Sequence, residues 1–350
     1  MTESTNPFED AQAVADHERE LADLRRANLE LQRRLAKAKA KIDDLVDATF
    51  AGARDAMLTM GPVPPVPPPP SDKRHKRPMV ALWDMGDWQA SKVTPSYNFG
   101  VMRKRVATYC ERAIDITELE RSAHPVRRCH IIFGGDMVEG LFNFPTQVFE
   151  IDATLHEQWE QVSYTLIDVV RRALANYDAV DVTAEPGNHG RIGSKRDHVP
   201  RSDNIDRMCY TFARAVLSAE KRLTWHDCPE DIQRLEIGNY RALVVHGDEV
   251  GRNGYVSPET FRNHVMKWKS GGYDWSFRDC YVHHYHEHRE LPLPDGAGAV
   301  FWTGSTESDN RYARVGMATT AIPSQRLHFI DPDKGRVSSQ YKIWLSDEQR

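Results

Sequence analysis

The chain is predicted to be an α/β protein, a sheet largely buried beneath helices, with a coiled-coil helix ahead of it. Three observations predict this. From Met79 onward, short apolar runs of strand length alternate with helical stretches. Before them lies a heptad-spaced segment, and between the two stands a proline-rich stretch.

Taken in order, the segment from Val14 to Leu45 places Leu21, Leu24, Asn28, Leu31, Leu35, Ala38, Ile42 and Leu45 at alternating steps of three and four. That is an a/d register with charged residues on the outer face and no Gly or Pro inside it. Asn28 falls at an a position, where a buried amide pairs with its twin in a parallel two-stranded coil, so a homodimer through residues 1–50 is expected. Gly61 to Pro70 contains seven prolines and reads as a polyproline II spacer within a linker over residues 51–78. A short basic run, Lys73 to Arg77, closes that linker. In the remaining domain, residues 79–350, the runs Met79–Trp83, Cys129–Phe133, Ala179–Thr183, Ala242–Val245, Cys280–Val282 and Ala299–Trp302 read as strands. Tyr97–Arg121, Leu155–Asn176 and Asn204–Glu220 read as helices.

Composition bounds the function. With 350 residues, 40% of them hydrophobic, and a formal net charge of −5, the chain can bury a substantial core but carries no polybasic coat. No apolar run approaches the roughly 18 residues a membrane span needs, and no apolar stretch follows Met1, so a cytoplasmic protein is expected. Five cysteines without a CxxC pair suggest neither a disulfide framework nor a zinc knuckle. Fifteen histidines are the unusual feature, several of them at the ends of apolar runs.

Those ends carry the chemistry. Polar residues follow five of the predicted strands: Asp84-Met-Gly-Asp87-Trp-Gln89, then Gly134-Gly135-Asp136 with Glu139, then Gly187-Asn188-His189-Gly190, then His246-Gly-Asp248, then His283-His284-Tyr285-His286. In α/β sheets the carboxyl ends of strands converge where ligands bind, so five polar strand ends would meet in one crevice. Each alone is more often a helix cap or a satisfied core histidine. The order Asp, Gly-Asp, Gly-Asn-His, His-Gly, His-x-His is what makes the chain from Met79 to Trp344 resemble the calcineurin-like metallophosphoesterase superfamily, and the resemblance implies a β-sandwich flanked by helices.

The resemblance further implies two divalent cations sharing one carboxylate, holding a phosphate between them and presenting a hydroxide opposite the leaving oxygen. Carried over position by position, Asp136 bridges. Asp87, Gln89 and His286 complete the first metal site, and Asn188, His246 and His284 the second. His189 is left unligated as the acid for the departing oxygen. Mixed imidazole, carboxylate and amide donors favour Mn2+, Zn2+ or Fe2+ over an all-oxygen Mg2+ site, with Mn2+ implied first by related nucleases. The sequence departs from the superfamily in two places. Gln89 stands where a histidine is usual and offers a weaker neutral oxygen, and Gly190 stands where an acidic residue would orient His189. Asp84 competes with Asp87 for the ligand role, but spacing favours Asp87.

Gly140 and Pro186 stand near the points where serine/threonine phosphatases carry phosphate-clamping arginines. The pattern is more similar to SbcD-type and bacteriophage DNA nucleases, which would place the protein in a host cytoplasm if phage-encoded. Arg191, Lys195 and Arg196 directly follow His189 and are candidate phosphate-contacting residues for DNA. The stretch from Arg262 to Arg278 interleaves cations with Trp268, Tyr273, Trp275 and Phe277, which reads equally as a base-stacking surface or as packing. The expectation is a dinuclear metal-dependent phosphodiesterase, a DNA exo- or endonuclease. The alternatives are a hydrolase of cyclic nucleotides or other small phosphodiesters, and a coiled-coil scaffold with a weakened site.

Overall fold

The computed structural model describes residues 44, 47–48, 50–74, 76–141, 147–193, 203–226, 232–250, 256–294, 296, 298–310 and 322–346. Contacts divide the chain into two units, residues 1–54 and 55–350. The expected coiled coil over Val14 to Leu45 lies, apart from helical Asp44, outside the described residues.

The second unit opens on the last turns, residues 55–60, of α1 (residues 50–60) and on the proline-rich stretch, which has no regular secondary structure and is tied to the globular unit. Val63 donates its N–H to Val216 O at 2.9 Å, Arg171 reaches Pro64 O at 3.0 Å, and Arg222 reaches Val66 O at 2.7 Å. Proline removes donors but leaves carbonyls, and two arginines use those carbonyls as acceptors.

Two mixed sheets form the body. The first has strand order β11-β10-β1-β2-β3-β4. Its strands are β1 (Met79–Met85), β2 (Val126–Phe133), β3 (Ala179–Ala184), β4 (Leu223–His226), β10 (Ser324–Asp331) and β11 (Arg336–Trp344). β1 to β4 run parallel, and β10 and β11 extend the sheet antiparallel. The crossovers supply α2 (Phe99–Ala123), α3 (Leu155–Asn176) and α4 (Ile205–Val216). Each starts on a side-chain cap: Asn98, Thr154 in a capping box with Glu157, and Asn204.

The second sheet has order β5-β6-β7-β9-β8, built from β5 (Gln233–Ile237), β6 (Tyr240–Val245), β7 (Asp279–Val282), β8 (Arg289–Pro292) and β9 (Ala299–Trp302). Val80, Leu82, Ile132 and Ile330 of the first sheet share one apolar cluster with Leu235, Tyr240, Val244 and Phe301 of the second, so the two sheets pack face to face. The outer face of the second sheet is covered through Phe261 and Val265 of α5 (Pro258–Lys267). The fold is therefore the helix-flanked α/β sandwich that the sequence predicts. Among the described residues, no helix is long and apolar enough to cross a membrane.

Candidate metal centre

The polar strand ends do converge. β1 ends at Met85, and the chain turns through Asp87 and Gln89, whose backbone N–H groups bond Gly135 O at 2.9 Å and Asp136 O at 2.8 Å. The loops after β1 and β2 are thereby laced together. Asp136 Oδ1 accepts the N–H of His189 at 2.8 Å, which brings in the loop after β3. From the second sheet, His246 follows β6 and His284 and His286 follow β7.

The contacts between side chains are short. His246 Nε2 lies 3.1 Å from Asp136 Oδ2 and 3.1 Å from Asn188 Oδ1. Its Nδ1 is 2.8 Å from Gly134 O, which orients the ring and directs Nε2 at Asp136 and Asn188. The rings of His246 and His284 sit 5.1 Å apart, and the ligand atoms of Asp136, His246 and His284 lie within 4.8 Å of one another, a group able to hold a metal ion. Gln89 Nε2 is 3.0 Å from His286 Nε2, so its Oε1 faces away from that ring and has no hydrogen-bond partner.

Asp87 is completely buried, and neither carboxylate oxygen has a hydrogen-bond partner. Burial pushes its carboxyl above the usual carboxylate range, against the attraction of His286 and His246. Asp84, the competitor, is spoken for: Oδ1 is 2.8 Å from His283 Nε2, and Oδ2 accepts from Thr303. His283 is thus a satisfied core histidine, seated against Gly86 and Gly134, where any Cβ would collide with its ring.

Backbone strain marks the same residues. Among the described residues, eight non-glycine positions have positive φ, and five are Asp87, Gln89, Asp136, His284 and His286. Four of the five are Asp or His, which enter this region more readily than other side chains, but each still costs on the order of 1–3 kcal/mol that the surrounding structure must offset.

His189 is oriented from an unexpected side. Its Nδ1 lies 3.0 Å from Glu139 Oε2, and Glu139 Oε1 is held by Lys92 Nζ at 3.2 Å. Burial would lower the imidazole pKa, but the charges of Glu139 and Asp136 raise it to about 10. Glu139 therefore supplies the contact that Gly190 cannot. A Cβ at Gly190 would meet Asn204 Oδ1 at 2.4 Å, so the acidic residue usual there is excluded by the α4 cap. Gly187 is required in the same way, since its Cβ would lie 2.0 Å from Asp136 Oδ1.

Sequence reasoning missed a sixth strand end. β9 is followed by Thr303-Gly-Ser305-Thr306-Glu307. Ser305 Oγ donates to Asp87 O at 2.6 Å, and buried Glu307 holds His286 Nδ1 at 3.1 Å. The rule applied to the other five strands would have found it. Asp206, at the start of α4, accepts the N–H groups of Gly187 at 2.9 Å and Val138 at 3.2 Å, and no local signal announces that role.

Of the candidate phosphate contacts, Arg191 is in an ion pair with Asp248 at 2.5 Å, while Lys195 and Arg196 lie outside the described residues. Tyr273 and Trp275 stack with Arg234, and Trp275 also with Arg241, and both aromatics pack on the apolar cluster beneath α5. They serve as packing there.

No family model matches the chain, and no curated protein matches it in sequence. Among solved structures, it is similar to Vps29 from Entamoeba histolytica, complexed with Zn2+, with 11% identity and a TM-score of 0.33 over 77% of this chain and 99% of that one. A 5'-nucleotidase from Candida albicans gives 9% identity and a TM-score of 0.35 over 80% and 54%. The phosphopantetheinyl hydrolase PptH from Mycobacterium tuberculosis gives 12% and 0.29 over 66% and 91%.

Proposed function

We propose that the protein is a dinuclear metal-dependent phosphodiesterase. The observation that carries this reading is the meeting of strained backbone with unsatisfied buried ligand atoms: five candidate ligands at positive φ, and both Asp87 oxygens and Gln89 Oε1 without partners. Burying a carboxylate with no hydrogen bond is costly, and a cation is the partner such a site lacks. Asp87, Gln89, Asp136 and His286 would hold one ion, and Asp136, Asn188, His246 and His284 the other. When bound, such a pair neutralises phosphoryl charge and acidifies water. The imidazole, carboxylate and amide donors fit Mn2+, Fe2+ or Zn2+.

The chain's own residues do the rest. Glu139 fixes His189 through Nδ1, so the proton on Nε2, 3.9 Å from Asp136 Oδ2, points into the site and is delivered to the departing oxygen. Lys92 Nζ steadies Glu139 beside His189 and is itself anchored by Glu150 at 2.8 Å. Thr303 and His283 keep Asp84 out of the ligand set.

For the substrate we propose a nucleic-acid phosphodiester, on the support of Arg191, Lys195 and Arg196 following His189 in sequence. The second reading, a small phosphodiester, is favoured by the ion pair between Arg191 and Asp248, which neutralises one of those cations. The test is hydrolysis of bis-p-nitrophenyl phosphate beside a labelled DNA duplex, with Mn2+ added and then chelated. Manganese-dependent cleavage of both is expected. Diester turnover with intact DNA selects the second reading, and silence on both refutes the assignment.

A further inference from the structure

A second cluster of metal-ligand side chains stands on the β2–β3–β4 edge of the first sheet. His130 pairs in register with Asp181, and Thr183 pairs with His226, so all four side chains leave the same face of three adjacent parallel strands. The ligand atoms of His130, Asp181 and His226 lie within 4.8 Å of one another. His226 Nε2 is 2.9 Å from Asp181 Oδ1, and the two imidazoles stack with ring centroids 5.4 Å apart.

We propose that His130, Asp181 and His226 form a separate divalent-metal site, of the His2Asp type that suits zinc.

Three features make these residues a ligand set rather than a hydrogen-bonded trio. His130 is buried, which fixes its ring against the neighbouring strands. Thr183 Oγ1, 2.8 Å from His130 Nε2, fixes the ring as outer-shell partners of metal ligands do. Asp181 is held on both oxygens, Oδ1 by His226 at 2.9 Å and Oδ2 by Arg128 at 2.8 Å. The arrangement is also open on one side, because the His226 side chain is 45% exposed and a cavity of about 470 Å³ is lined by His130 and Asp181. Three protein ligands with an open position are the pattern of a site that keeps water or a ligand on the ion. Arg128, 2.8 Å from Asp181 Oδ2, occupies the second oxygen and leaves the carboxylate monodentate.

The site is tested by zinc alone on full-length, metal-stripped protein, counting bound ions by equilibrium dialysis and atomic absorption. The background is Asp136→Ala, which removes the shared carboxylate of the other centre. One zinc per chain is expected there, and His226→Ala or Asp181→Asn should weaken it by more than about 100-fold, beyond the effect of losing an outer-shell partner. His226 is exposed enough for its replacement to leave the fold intact, which circular dichroism checks. Zinc binding unchanged by both substitutions, or no zinc bound in the Asp136→Ala background, overturns the assignment. Neither outcome depends on phosphodiesterase activity, so this site and the dinuclear one stand or fall separately.

Discussion

Replacing Asp87 with Asn should stabilise the metal-free protein while removing its response to metal. The Asp87 carboxylate is fully buried and both its oxygens lack partners, so the folded state holds a nearly uncompensated charge. A neutral buried group in that position costs about 1–3 kcal/mol and a charged one more, less the attraction of His286 and His246. Asparagine keeps the shape, drops the charge and tolerates the φ of 49° at this position better than most residues. A net gain of about 2 kcal/mol in chelator is therefore expected. The sign with pH follows from the raised carboxyl pKa. The wild-type penalty is absent below the unfolded value near 3.8, grows as pH rises, and is complete above the folded value, so the variant's advantage widens from acid toward neutrality. With Mn2+ at about a thousand times its dissociation constant, wild type gains about 4 kcal/mol and the variant much less. Urea unfolding followed by fluorescence, in chelator and in Mn2+, reads both differences. A variant that is less stable than wild type in chelator, or that gains as much from metal, would refute the assignment of Asp87 as a ligand.

Glu139→Gln removes the charge that holds His189 protonated. It should lower kcat by about 10- to 100-fold at pH 8 with metal stoichiometry unchanged, and an unaltered pH–rate profile would count against the acid role. Glu307→Gln loosens His286 and should weaken metal binding about 10- to 100-fold, measured by titration calorimetry. His130 is buried neutral with its pKa lowered to about 3, so the unfolded chain binds the extra proton as pH falls below 6.5. Metal-stripped wild type should therefore lose about 3 kcal/mol from this group between pH 6.5 and pH 4, and His130→Gln should flatten that slope in urea unfolding. Leu82→Ala in the inter-sheet cluster and Leu166→Ala on α3 should each cost about 2–5 kcal/mol, but only the first should also weaken metal binding, because only it loosens the seam on which the ligands sit.

What was legible in the sequence had a local signature. All six predicted strands exist, because each is a run of consecutive buried apolar residues, and Leu155–Asn176 was bounded correctly by its capping box. β10 was invisible for the opposite reason. Ser324–Asp331 is buried throughout yet carries Gln325, Arg326 and His328, each bonded to a distant partner: Gly86, Trp302 O at 2.9 Å and Tyr281 Oη at 2.9 Å. The helix expected to reach Glu220 stops at Val216, where Leu217 leaves the helical region. In the site, ligands in a strand-end motif were found on both sheets, and the residues that support those ligands from elsewhere, such as Asp206 and Glu307, were not. Glu139 was legible as an acidic position of the resemblance, with a supporting role or a helix cap as the alternative, but not as the partner of His189, because that pairing joins loops 50 residues apart.

The site is built across the seam between the two sheets. Asp87, Gln89, Asp136, Asn188 and His189 follow strands of the first sheet, whereas His246, His284, His286 and Glu307 follow strands of the second. Away from the strand ends, the sheets meet through side chains such as Leu82, Ile132, Val244 and Phe301, which are non-directional and fix spacing without fixing register. At the strand ends the contacts are directional: His246 to Gly134 O and Asp136, His283 to Asp84, and Ser305 to Asp87 O. Each joins one sheet to the other, so the ligand geometry depends on the two halves being held in a single relative position. A cation bound by Asp136 and His246 would itself be such a cross-link. Metal affinity and cohesion of the sandwich should then rise and fall together.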